Sequence, residues 1–303
     1  MVARWVGLLI LAAGLAGCGD EQPASGEPEP GQAPAATASV GGPTADGLVL
    51  PPRQAVDTNP LGLPSRQVQV PEKQRVFAVP AAMLRQARVG SSLVLEAATV
   101  KGREGDDLVV RVGTGRAYPI HPAYVVVPRR GRMGRGTPVF AAYRGVMRHG
   151  VVKHLSLDRV VVRFTDLGFK LGDQKLVTER VGVLEPGTLM AGGRAAVLLD
   201  GVRAHVQLVS AGVHRDGKRR WLVLGARGEA QLVEEGALTP LPARRFKPKI
   251  GATVLAAWRG EMVPAKLVSL DRPGLYTVKR QRTSRRLLVG PGMIMAAAKP
   301  SRP

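Results

Sequence analysis

Arginine and lysine gather in four short stretches: Arg129, Arg130, Arg132 and Arg135; Lys218, Arg219 and Arg220; Arg244, Arg245 and Lys247; and Lys279, Arg280, Arg282, Arg285 and Arg286. A guanidinium presents a planar fork of donors that meets phosphate or carboxylate oxygens in pairs, so the chemistry these stretches point to is anion recognition. Trp221 and Phe246 stand beside two of them, and basic residues interleaved with aromatics are a common way to hold a polyanion strand. Solvated loops are charged for a simpler reason, and the sequence leaves the two readings open. Residues suited to catalysis are sparse. On one strand, His149 and His154 would face opposite sides, which prevents joint chelation of a metal. His121, His205 and His214 have no ligand-like spacing, and no serine elbow, phosphate-cradling glycine loop or spaced carboxylate pair stands out. The expectation is binding without catalysis, with no cofactor, no metal and no small-molecule substrate.

The net charge is +21. Residues 1–64 hold Arg4 and Arg53 against Asp20, Glu21, Glu27, Glu29, Asp46 and Asp57, so the positive excess lies wholly beyond them. A body that basic attracts anions.

Near the N-terminus, Arg4 precedes an apolar run that ends in Leu15-Ala-Gly-Cys18, where small residues lead into the chain's one cysteine. The charged, apolar and small-residue regions form a secretory signal over residues 1–17, and the apolar run falls short of the ~20 residues a bilayer span needs. Leu15-Ala-Gly-Cys18 resembles the lipobox of bacterial lipoproteins. That resemblance implies lipid modification of Cys18 as the first mature residue, attachment to a membrane, and a place in the cell envelope. Gly19 stands where an aspartate retains such proteins at the inner membrane, so the outer membrane or cell surface is expected. One cysteine excludes a disulfide framework. Residues 18–75, rich in proline, glycine and alanine, read as a disordered tether with a reach of roughly 40 Å. Neither Leu48–Leu50 nor Val68–Val70 is expected to form a strand.

The elements that must position the charges are short β-strands in repeats. Gly136-Thr-Pro-Val-Phe-Ala-Ala-Tyr-Arg-Gly145 recurs as Gly251-Ala-Thr-Val-Leu-Ala-Ala-Trp-Arg-Gly260, and Ser156-Leu-Asp-Arg159 recurs as Ser269-Leu-Asp-Arg272. A helical turn or two is expected in Pro80–Ala87. Strands are expected at Ser92–Glu96, Ala98–Lys101, Asp107–Val112 and Tyr124–Val127, with Pro119 and Pro122 confined to an edge or crossover. Later β-runs include Val160–Phe164, Ala196–Gly201, Val202–Leu208, Trp221–Leu224, Val263–Val268 and Leu287–Val289. Taking Gly90, Gly136, Gly193 and Gly251 as starts gives units of about 50 residues, near the lower limit for independent stability, so neighbouring units should pack together.

Apolar strand, aromatic-x-Gly turn, second strand, and then a run such as Val160-Val-Val-Arg-Phe-Thr-Asp166 resemble the Tudor/Agenet group of Src-homology-like small barrels. The resemblance implies an all-β chain of about four tandem five-stranded barrels, at residues 76–130, 131–185, 186–245 and 246–298. It further implies an aromatic cage for a cation, for which Tyr143, Phe164 and Asp166 match in the second unit and Trp258 and Tyr276 in the fourth. Small-barrel cores also consume aromatics, and cage and core both stay open. The partners expected are a membrane through the lipid anchor, an anionic polymer (cell-wall glycan, lipopolysaccharide or extracellular DNA), or another envelope protein.

Overall fold

Alternation of side chains drives the architecture. Along Arg159–Phe164, Val160, Val162 and Phe164 are buried and the residues between them are not, the period-two pattern of a half-buried strand. The computed structural model describes residues 57–64, 68–167, 172–244, 246–281, 283 and 285–297. Residues 1–17, read above as a signal sequence, Cys18, Leu48–Leu50, Arg245 and Arg282 lie outside the described residues.

The fold is all-β, with strands grouped in fives. First come β1 (Arg75–Ala78), β2 (Glu96–Glu104), β3 (Asp107–Val112), β4 (Tyr118–Ile120) and β5 (Val125–Val126), with one short helix, α1 (Ala81–Leu84), after β1. The second group is β6 (Pro138–Tyr143), β7 (Val146–Leu155), β8 (Arg159–Phe164), β9 (Gly172–Val177) and β10 (Gly182–Val183). The third is β11 (Arg194–Leu199), β12 (Val202–Val213), β13 (Arg219–Leu224), β14 (Ala230–Glu234) and β15 (Leu238–Leu241). The fourth is β16 (Thr253–Trp258), β17 (Glu261–Arg272), β18 (Leu275–Arg280), β19 (Arg286–Val289) and β20 (Ile294–Ala296). Each group is an antiparallel meander of four strands, then a 3-10 turn, then a fifth strand that pairs with the first. Among the described residues no ladder joins fourth strand to fifth, so the hydrogen-bonded ring of a closed barrel is left open there.

One device recurs in all four groups. The residue two positions before the first strand donates its N–H to a carbonyl of the second strand, Gly136 to Val152 at 2.8 Å, Gly192 to Leu208 at 2.9 Å and Gly251 to Leu267 at 2.8 Å. Immediately beyond Val152, Leu208 and Leu267 the second strand bulges against the third, and it does so again beyond Val100 in the first group. A bulge bends a strand and increases its twist, which lets one long second strand serve both halves of a curled sheet. In the first group the clamping residue is Lys73, bonded to Val100 at 2.9 Å. Its φ of 65° matches the 82–88° of its glycine counterparts in hand, so the first repeat begins at Lys73 and not at Gly90.

The first repeat departs from expectation for this reason. Its first strand, β1, precedes the helix, and residues 79–95 replace the two-residue hairpins Arg144–Gly145, Asp200–Gly201 and Arg259–Gly260 of the others. Both residues of each hairpin have positive φ, the requirement of a type I′ turn. Ser92–Glu96 is therefore not a strand, apart from a single bridge from Ser92 to Glu229, and Glu96–Glu104 is one continuous strand. Tyr124 closes a 3-10 turn, leaving Val125–Val126 as the fifth strand. Pro119 sits in β4, which pairs with β3 alone, as an edge proline must. Val68–Val70 forms no strand, but Leu63 and Val70 are buried in the core and Leu61 N–H bonds the Tyr124 hydroxyl at 2.9 Å, so the body begins before residue 76.

Two junctions are alike. Second strand meets second strand between the first and second repeats (Glu96 opposite Val146) and between the third and fourth (Ala204 opposite Glu261), giving two ten-stranded sheets. Each of the last three repeats keeps its own apolar cluster, whereas the first shares one that extends to Phe140, Met147, Val209 and Leu222. Ala196 and Leu241 pack on Ala257 and Met262 across the third and fourth.

Candidate anion-binding site

Charge is buried where the second and third repeats meet. His149 points inward from β7, and the chain leaving β8 stays against it because Thr165 N–H bonds the His149 carbonyl at 3.0 Å. This delivers the next residue, Asp166, to the interface, where its Oδ2 accepts the His149 backbone N–H at 2.9 Å and Arg194 Nη2–H at 2.8 Å. Arg194, the first residue of β11, also donates Nε–H to His149 Nδ1 at 3.1 Å. The imidazole proton then sits on Nε2, which donates to the Gly192 carbonyl at 2.7 Å. His205 on β12 also meets a glycine carbonyl of the following repeat, its Nε2 lying 2.8 Å from that of Gly292, which sits in the 3-10 turn before β20.

The electrostatics follow from burial. Desolvation pushes the Asp166 carboxyl up, and hydrogen bonding with His149 and the Arg194 charge outweigh it, holding it at about 2. Burial and the Arg194 charge lower both histidines, His205 to about 3, so both are neutral at pH 7. Burial draws the Arg194 pKa down, Asp166 opposes this, and the like charge of Arg148 adds to the downward pull. Asp166 Oδ1 is buried without a hydrogen-bond partner among the described residues.

This cluster forms one wall of a cavity of about 300 Å³. Arg148, Asp166, Arg194 and His205 line it together with Trp258 and Arg259 of the fourth repeat, and Leu287–Val289 and Met293 complete the lining. Trp258, Arg259 and Leu287 also border an adjoining hollow of about 210 Å³ with Arg280, Thr283 and Arg285. The guanidinium carbons of Arg259, Arg280 and Arg285 lie 5.8, 5.7 and 5.4 Å from the centre of the Trp258 ring system, within cation–π range.

The residues singled out by sequence are distributed as follows. Phe164 is fully buried in the second repeat's core, with Tyr143 packed on it at 5.1 Å between ring centres and the Arg144 guanidinium 5.6 Å from the Tyr143 ring. The Asp166 carboxylate is engaged by the Arg194 guanidinium and the His149 backbone N–H. Tyr276 packs edge-on against Phe246 at 6.0 Å, beside the fourth repeat's core. The cage candidates are thus dispersed among two cores, an ion cluster and a cavity wall. Among the basic stretches, Arg129 and Arg130 are exposed and reach Glu185 and Glu179 at 4.0 and 3.5 Å, while Arg132 and Arg135 are also exposed. Lys218 and Arg219 are held by Glu234 and Glu235 at 2.7 and 2.8 Å, and Arg220 by Asp216 at 2.5 Å. Arg244, Lys247, Lys279 and Arg286 are exposed, with no carboxylate within 4.0 Å among the described residues. Arg280 and Arg285 join Trp258, which local sequence did not indicate. Sequence reasoning also passed over Arg148, Arg194 and Arg259. The signal that could have found Arg194 was an arginine opening an otherwise apolar strand, Arg-Ala-Ala-Val-Leu-Leu. No family model and no curated protein matches the chain.

Proposed function

We propose that the protein is a non-catalytic, lipid-anchored binding protein of the bacterial cell envelope, whose Tudor-like repeats hold an anionic polymer, with cell-wall glycan, lipopolysaccharide and extracellular DNA as the choices. The observation that carries this reading is the fourth repeat: three arginines gathered on Trp258, with Lys279 and Arg286 exposed beside them and without a carboxylate within 4.0 Å among the described residues. Lys279 and Arg286, with no carboxylate within 4.0 Å among the described residues, add like charge beside those arginines, and an incoming polyanion relieves the mutual repulsion while releasing its own counter-ions. The paired charges of Lys218–Arg220 contribute less, since their acids already answer them.

Binding of the purified protein to peptidoglycan, lipopolysaccharide and DNA at several salt concentrations tests the proposal. Affinity is expected to fall steeply with salt, and replacing Lys279 and Arg286 by alanine is expected to lower both the affinity and the salt slope. Absence of binding at low ionic strength would sink it. Palmitate labelling that survives in Cys18→Ala would remove the anchor. A protein partner is the second reading, favoured by Leu157 and Leu270, which are 105% and 52% exposed at equivalent hairpins of the second and fourth repeats. Cross-linking to one envelope protein that persists at high salt would support that reading instead.

A further inference from the structure

We propose that the cavity among the second, third and fourth repeats binds a sugar phosphate, the phosphomonoester between Arg148 and Arg259 and the sugar ring against Trp258. This rests on the polyanion reading and narrows it, since the phosphorylated unit would be the terminal residue of an envelope glycan.

Charge comes first. Arg148, Arg194 and Arg259 line the cavity with one carboxylate, Asp166. Asp166 is matched by Arg194 at 2.8 Å, and His205 is buried and neutral, so Arg148 and Arg259 are left over. Neither has a carboxylate within 4.0 Å among the described residues. Two unanswered guanidiniums fit a dianion better than the single charge of a carboxylate or phosphodiester, and their forks suit phosphate oxygens. The fixed Asp166 carboxylate further disfavours a long polyanion running through the cavity.

Size and lining come second. A volume of about 300 Å³ is at the small end for ligand sites and takes one sugar-sized unit, not a length of polymer. Beside these charges, Ala257, Trp258, Leu287 and Met293 add apolar surface to the lining. A sugar has an apolar ring face to lay on such a surface and hydroxyls for the polar groups. Free phosphate would leave that surface in water. The site also lies where three repeats converge, so its parts are held by separate sheets rather than by one loop.

Isothermal titration of the full mature chain with glucose 6-phosphate, glucose, glucuronate, inorganic phosphate and dimethyl phosphate tests the proposal. Glucose 6-phosphate is expected to bind at least tenfold more tightly than each of the others. Arg148→Ala and Trp258→Leu are each expected to weaken it tenfold or more, Arg148→Lys to restore part of the loss, and thermal unfolding to show that the variants remain folded. Equal affinity for glucuronate or dimethyl phosphate, no saturable binding, or no effect of Arg148→Ala in folded protein would overturn the assignment. Lipopolysaccharide treated with phosphatase separates the sources. Loss of binding after treatment supports a glycan-borne phosphate. Binding of glucose 6-phosphate alongside no polymer binding at any salt supports the cavity and defeats the polyanion reading. Polymer binding without glucose 6-phosphate binding does the reverse.

Discussion

At the scale of residues, the molecule depends on a charge pair taken out of water. Asp166 and Arg194 are 7% and 12% exposed, and removing one partner leaves the other buried without compensation. Asp166→Asn is therefore expected to destabilise the fold by about 3–5 kcal/mol, while Asp166→Leu combined with Arg194→Met costs much less than the sum of the single changes. Urea unfolding of the four proteins closes that cycle, and strict additivity would show the pair to be uncoupled. Acid should act through the same cluster. Because His205 is held down to about 3 in the fold, the unfolded chain takes up its proton first, near pH 6.5. The stability it contributes is complete above pH ~6.5 and declines by about 1.4 kcal/mol per unit as pH falls toward 3. Asp166, held at about 2, adds a loss in the same direction, beginning below pH ~4. A urea midpoint series from pH 7 to pH 4 should fall accordingly, with His205→Gln flattening it; a midpoint that rises on acidification would contradict the burial argument. None of this was visible in the sequence. His149, Asp166, Arg194 and His205 come from different strands, and the odd spacing that excluded His149 and His154 as a chelating pair says nothing about a partner in another repeat.

Elements were legible where local chemistry repeats. Strand, turn and strand in Gly136–Gly145 and Gly251–Gly260 are set by alternation and by Arg-Gly hairpins, and the fold keeps both. The third repeat proves as regular as the others, with the same clamp, bulge and 3-10 turn, although Asp200–Gly201 and Ala196–Leu199 share little wording with them. Backbone hydrogen bonds define the device, and backbone bonds leave only a faint trace in residue type. Lys73 is the extreme case, since a lysine holds a position that glycine fills elsewhere, and no glycine-based search could locate it. An L-residue in the left-handed region is strained by roughly 1–2 kcal/mol, partly offset in the native residue by the greater entropy that glycine loses on folding. Lys73→Gly should thus raise stability by about 0.5–1 kcal/mol, because the exposed side chain gives up nothing in the exchange. A lowered melting temperature would show that the lysine side chain makes a contact worth more than the strain.

At the scale of the whole molecule, these repeats do not behave as links in a chain. The first repeat's core extends into the third, the Asp166–Arg194 pair ties second to third, and Pro273 of the fourth closes on Gly136 of the second so tightly that a Cβ there would lie 2.7 Å from it. Calorimetry of the protein should show one transition, where a solenoid of independent repeats would broaden or split. Two resolved transitions would mean that the junctions are weaker than their burial suggests. The sequence indicated that units of about 50 residues would need neighbours. It could not indicate which neighbours, because each junction is made by residues whose separation in the chain follows no period. The likeness of the two strand-to-strand junctions has a consequence for descent. A solenoid can gain or lose one repeat by unequal recombination, since each new copy meets the same neighbour as the last. In this protein the strand-to-strand junction recurs once per pair of repeats, and loss of the second or third repeat alone would strand one member of the Asp166–Arg194 pair, so exchange in pairs would keep contacts that exchange of single repeats would break.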